Sequence, residues 1–124
     1  LSKELHGGLP ALSLPSMIGF HTAFNNDDNP EFAFAQQVVA FGRPGDVLLG
    51  ISTSGNSSNI VHAARAAQAM ELPVISLTGE NGGRLAPVAD CAIKAPSQQT
   101  PRIQELHLPI YHALCQVVED SLFS

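Results

Sequence analysis

Ser52, Thr53, Ser54 and Ser57 place four hydroxyls within six residues of the segment GDVLLGISTSGNSSN. Hydroxyl donors just ahead of a helix join that helix's free N–H groups and positive dipole end, a combination that receives anions. Gly55 lets the backbone approach a ligand closely or take a positive φ. The loop has no lysine, so it is not the G-x-x-x-x-G-K-[ST] nucleotide loop, and it is not the dinucleotide G-x-G-x-x-G. A neutral, hydroxyl-lined loop suits the monoester phosphate of a small molecule better than a nucleoside triphosphate with Mg²⁺. The plainer alternative is a serine-rich capping turn that binds nothing.

The second chemistry-bearing stretch is IQELHLPIYH. Histidine titrates near neutral pH and so suits proton shuttling between oxygens. On an ideal helix Glu105 lies about 20° around the axis from His112, and His107 about 140° away. His107 and His112 therefore cannot easily face one site, and His107 reads as a residue behind the site or a structural one. His21 and His62 read the same way, and His6 as a solvated end. Pro109 removes the hydrogen bond to the Glu105 carbonyl and is expected to kink the helix. NNDDNP, taken alone, is a helix-capping and turn cluster.

The elements that must position these groups alternate along the chain. Leu9–Leu14 reads as a short strand, Met17–Asn26 as a helix, and Glu31–Phe41 as a helix opened by Pro30, with Phe34, Val38 and Phe41 at helical spacing. Asp46–Ser52 and Pro73–Leu77 read as strands buried on both faces, separated by the Ala-rich helix Ile60–Met70. TGENGGRLAPVAD is a glycine-rich connection with room for one helical turn. Cys91–Ala95 is a third strand, and Thr100 as N-cap with Pro101 behind it starts a helix running to about Leu122. Strand–helix–strand order with buried strands gives an α/β class with a parallel sheet.

Composition bounds the rest. With 44% hydrophobic and 14% charged residues the chain has the material for a core, its charge lying well below the soluble average of about 25%. A formal charge of −5, with Lys3, Arg43, Arg65, Arg84, Lys94 and Arg102 scattered along the chain, argues against nucleic acid. No run of 18 apolar residues proposes a membrane span, and LSKELHGG lacks the order of a signal peptide. Cys91 and Cys115 fit no metal or redox spacing and read as reduced thiols of a cytoplasmic protein.

GDVLLGISTSGNSSN resembles the phosphosugar-binding signature of the sugar isomerase (SIS) domain. LTGENGGRLAPVAD and PRIQELHLPIYHALCQVVED are similar to the matching parts of bacterial phosphoheptose isomerases. The resemblance implies a flavodoxin-like, three-layer SIS fold around a central parallel sheet, assembled as a homotetramer or homodimer. It implies conversion of sedoheptulose 7-phosphate into glycero-manno-heptose 7-phosphate, for lipopolysaccharide and related glycans. Carried over by position, it implies Ser52, Thr53, Ser54 and Ser57 as phosphate ligands. Asn26, Asp27 and Gln104 become sugar contacts, with Asp28 one residue away as the alternative to Asp27. His112 becomes the acid/base that moves protons on the sugar oxygens. No nucleotide cofactor is implied.

Some members of the family hold zinc partly through the residues matching Gln104 and His112. Those positions are separated by a helical rise of roughly 12 Å, so both would have to lean toward one ion. Pro101 stands where the isomerase pattern has an acidic residue before Arg102. The family's catalytic glutamate, a neighbouring histidine and an Asn-Gly-Gly loop have no match, and the surroundings of Glu4 do not fit. Residues 1–124 are thus expected to be one partial SIS domain without its N-terminal strand, loop and helix, inactive alone for want of the carbon base.

Two other functions compete. One is a non-catalytic SIS module of the replication-initiation regulator type, which binds the initiator protein. There asparagine stands at the place of His112 and arginine interrupts the serines (STRGNS), and both differences favour the enzyme. The other is the sugar-phosphate-sensing domain of a transcription factor, which no helix-turn-helix segment or basic surface supports. Amidotransferase-type SIS enzymes carry tandem domains, for which the chain is too short.

Overall fold

The structure, a computed structural model, describes residues 7–123. Three apolar runs pair as one parallel sheet in the order β1 (Leu48–Ile51), β2 (Val74–Thr78), β3 (Cys91–Lys94). Parallel neighbours need crossovers. α3 (Ser58–Ala69) carries the chain from β1 to β2, and a glycine-rich stretch with a single 3-10 turn, Ala86–Val88, carries it from β2 to β3. Ahead of the sheet lie α1 (Ile18–Asp27) and α2 (Ala33–Phe41), joined through the 3-10 turn Pro30–Phe32. α4 (Thr100–Phe123) follows it. The α/β class and the central parallel sheet agree with the sequence reading.

Small side chains on one face of α3 let it lie close to its neighbours. Ala63, Ala64 and Ala67, with Val61, are buried against Val38 of α2, Val74 of β2 and the flanking Leu72 and Leu85. In β1, a Cβ at Gly50 would come within 3.2 Å of Ile60, so the missing side chain sets the spacing between that strand and α3. Strand alternation sends Leu49 and Ile51 to the opposite face, where they are 42% and 45% exposed. The expectation that β1 is buried on both faces is therefore corrected. It is an edge strand covered on one face among the described residues.

Leu9–Leu14 is not a strand either. Residues 7–13 have no regular structure and Leu14–Ser16 form a 3-10 turn, with Leu9 and Leu12 exposed. Pro10 removes an N–H donor inside the short run and Pro15 another just beyond it, and among the described residues the run pairs with no strand. The turn is anchored instead by side chains. Nε2 of His21 on α1 (2.9 Å) and Nε2 of Gln37 on α2 (3.0 Å) both bond to the Leu14 carbonyl, giving His21 the structural role expected of it.

α4 begins one residue from the expected cap. Its first bond runs from the Ile103 N–H to the Gln99 carbonyl (2.9 Å), so Gln99 caps the helix and Thr100 is already helical. The helix continues across Pro109 as one element. His6 and Glu4 lie outside the described residues.

Candidate functional site

At the carboxyl edge of β1 the chain turns through Ser52–Ser57 into α3. The turn is tied to β2 on both sides, by the Ser52 N–H to the Leu77 carbonyl and the Gly79 N–H to the Thr53 carbonyl, each 3.0 Å. Ser52 is buried. Its hydroxyl accepts from the Gly55 N–H (3.1 Å) and donates to Oγ of Ser57 (3.0 Å). Ser52 thus spends its proton inside the loop, while Ser57, as acceptor, keeps its own. Thr53 is half-buried, and Ser54 and Ser57 are exposed. Ser57 occupies the cap position of α3 without a side-chain capping bond. The backbone N–H groups of Ser57, Ser58 and Asn59 have no acceptor among the described residues. Hydroxyl protons, free amides and the positive end of a 12-residue helix meet at one point.

A second loop supports the first. Gly55 takes φ +70, and a Cβ there would overlap the Gly82 carbonyl. A Cβ at Gly83 (φ +56) would come 2.5 Å from the Ser54 carbonyl oxygen. The two backbones are in direct contact. The Leu85 N–H bonds to the Gly55 carbonyl (2.9 Å) and the Arg84 N–H to Oδ1 of Asn56 (3.0 Å). Nη2 of Arg84 then donates to the Asn56 carbonyl (2.7 Å) and to Oγ of Ser58 (3.1 Å). The sequence shows a loop without a cation and basic residues scattered along the chain. The fold brings Arg84 to that loop across 28 residues. The adjacent glycines Gly82 and Gly83 were the available signal, because paired glycines mark a close backbone approach.

Between these loops and the start of α4 lies a cleft of about 220 Å³. Thr53, Ser54 and Asn56 line one side, Glu80 the end of β2, and Ser97 and Thr100 the approach to α4. The turn after α1 also reaches the start of α3. Phe32 packs on the His62 ring with centroids 4.5 Å apart, Glu31 lies 4.0 Å from Nε2 of His62, and Pro30 and Glu31 border a shallow hollow with Ser58 and Asn59. Asn26 and Asp27, in the last turn of α1, are exposed and lie a few residues before that turn, outside the lining of the cleft.

α4 holds its two predicted residues differently. Ile103 and His107 are its buried positions, and Nε2–H of His107 donates to the Thr78 carbonyl (2.9 Å), a structural role as expected. Gln104 follows Ile103 and is exposed. His112 is exposed on the face about 160° from the buried stripe and about 13 Å along the axis from Ile103. Its ring packs beside Tyr111, with centroids 5.4 Å apart. Glu105 pairs with Arg102 (3.3 Å) on the surface. The serine loop is therefore brought together within the chain, whereas His112 is not brought to its cleft. No group of three or more His, Cys, Asp or Glu side chains among the described residues is placed to hold a metal. One imidazole and one amide at this separation do not by themselves make a zinc centre.

The SIS-domain family model matches residues 8–79, from the N-terminal segment through the serine loop to the end of β2. Over its whole length the chain is 47% identical to the phosphoheptose isomerase of Rhodospirillum rubrum and covers 70% of that protein. The chain belongs to the phosphoheptose isomerase family. Two solved phosphoheptose isomerases share its fold. One, from Francisella tularensis, matches 93% of the chain at 38% identity with a TM-score of 0.88. The other, from Neisseria gonorrhoeae, matches 86% at 42% identity with a TM-score of 0.83. The chain spans 62% and 61% of those two proteins, and about three-fifths of the phosphoheptose isomerases of Aneurinibacillus thermoaerophilus and Helicobacter pylori. No helix among the described residues of this family member is long and apolar enough to cross a membrane.

Proposed function

We propose that the protein carrying this chain isomerises sedoheptulose 7-phosphate to glycero-manno-heptose 7-phosphate, in the cytoplasm, for lipopolysaccharide and related glycans. The carrying observation is the seat at the start of α3, where three unpartnered amides adjoin the hydroxyls of Ser54 and Ser57. A phosphate there gains hydrogen bonds and the helix dipole without a metal or a lysine. Ser52 holds the loop, and Thr53, Ser54 and Ser57 donate to the phosphate oxygens. The sugar then extends toward groups supplied by Asn26, Asp27 and Gln104.

Isomerisation removes a proton from one of two adjacent carbons, forms an enediol and returns a proton to the other, while a second group moves protons on the oxygens. His112 takes the oxygen-shuttling role, and the carbon base is not assigned to any described residue. Complete ligand pockets hold about 300–1,000 Å³, and the 220 Å³ cleft is smaller. His112 also faces away from the cleft of its own chain. Both observations support a site completed from elsewhere, and we place a second copy there, in a homodimer or homotetramer. Exposed Leu106, Val117 and Val118 extend the Ile103–His107 stripe along α4 and support an interface on that helix. Zinc at Gln104 and His112 would need its other ligands from outside the described residues.

The test is turnover of sedoheptulose 7-phosphate by the full-length protein and by His112→Ala. The variant should lose on the order of 10²-fold or more in rate, as removal of a general acid–base group does. A wild-type rate in His112→Ala would refute its role, and an inactive full-length protein would refute the function.

A further inference from the structure

We infer that Arg84 is a positioning residue for phosphate binding, holding the Ser52–Ser58 loop and adding positive potential at the start of α3. The inference rests on the phosphosugar reading above. Nη2 of Arg84 spans two acceptors on that loop, the Asn56 carbonyl and the Ser58 hydroxyl, while its own N–H holds the Asn56 side chain. Ser58, as acceptor, keeps its proton for a ligand. No carboxylate among the described residues lies within ion-pair distance of the guanidinium, so its charge is not neutralised.

The position is electrostatically unfavourable in the absence of an anion. A cation beside a helix N-terminus meets the positive end of the dipole, where carboxylates and phosphates are the stabilising partners. The Gly82–Gly83 backbone, in contact with Ser54 and Gly55, nevertheless fixes Arg84 at that end. Bound phosphate removes the conflict, because the guanidinium, the free amides and the dipole then act on one negative charge.

Calorimetric titration of the full-length protein with inorganic phosphate and with sedoheptulose 7-phosphate tests this. Arg84→Gln should weaken both ligands on the order of tenfold. Arg84→Lys, which keeps the charge and loses the planar fork, should fall between Arg84→Gln and wild type. Arg65→Gln removes the same charge from an exposed position on α3 itself and should bind within about twofold of wild type. Affinity should fall with added salt more steeply in wild type than in Arg84→Gln, a response that a merely structural brace would not produce. Wild-type binding with Arg84→Gln matching Arg65→Gln would overturn the inference alone. A wild-type protein that binds neither phosphate would overturn the phosphosugar reading and this inference with it.

Discussion

Between Ser52 and Ser58 the loop is fixed by hydrogen bonds within itself and by others to β2 and to Arg84 and Leu85. From Leu108 to Leu122, by contrast, α4 has no buried residue. The loop is built by two crossing backbones with glycines at the contact, and its shape belongs to this chain. The second half of α4 is a helix with exposed Leu108, Val117, Val118 and Leu122, and it carries His112 on its polar side. The difference separates two kinds of site residue. Those that seat the phosphate are organised locally, while the one that moves protons depends on what packs against α4.

The strongest way to break this contrast is Gly55→Ala. A methyl group there overlaps the Gly82 carbonyl in a backbone region that alanine disfavours. The expected cost is about 2–4 kcal/mol by chemical denaturation, with phosphate binding lost. Next come the two histidines of α4. His107→Ala should cost about 2–3 kcal/mol, because it opens a cavity and removes one of the two donors, His107 and the Ala95 N–H, that the Thr78 carbonyl accepts from. His112→Ala should stay within about 0.5 kcal/mol of wild type in the same measurement. Equal costs would mean that both sit in the fold's own packing.

Within the loop the serines should separate too. Ser52→Ala, which removes an internal donor and acceptor, should lower stability by about 1 kcal/mol. Ser54→Ala, which removes only an exposed acceptor of the Asn56 N–H, should lower stability by less than Ser52→Ala and weaken phosphate binding several-fold. The smallest effect on the folded unit, within about 0.5 kcal/mol, is expected for Val117→Ser with Leu122→Ser. Sedimentation should nonetheless show that pair shifting the protein toward smaller assemblies, and an unchanged assembly would remove α4 from the interface.

Much of this was legible in the residues because it is periodic or local. The three strands, the Ala-rich α3 and the long α4 follow from apolar spacing, and the serine loop from its position between β1 and α3. What escaped was set by partners distant in sequence. Leu9–Leu14 is apolar enough for a strand, yet its prolines and the lack of a neighbour decide otherwise. β1 reads as doubly buried because its residues are apolar, although Leu49 and Ile51 face outward. Gly82 and Gly83 signalled a close backbone approach, but which loop Arg84 meets is decided only when the two glycine turns cross. The direction of His112 was readable relative to His107, but which face of α4 meets the fold required Ile103 and Thr78 in place.

The most direct measurement is backbone amide chemical-shift change by NMR on titrating the protein with sedoheptulose 7-phosphate. The largest changes are expected at Thr53, Ser54, Gly55, Ser57, Ser58 and Asn59, with unphosphorylated sedoheptulose leaving those amides unmoved. Saturable binding that perturbs other residues and spares this group, or no binding at all, would contradict it.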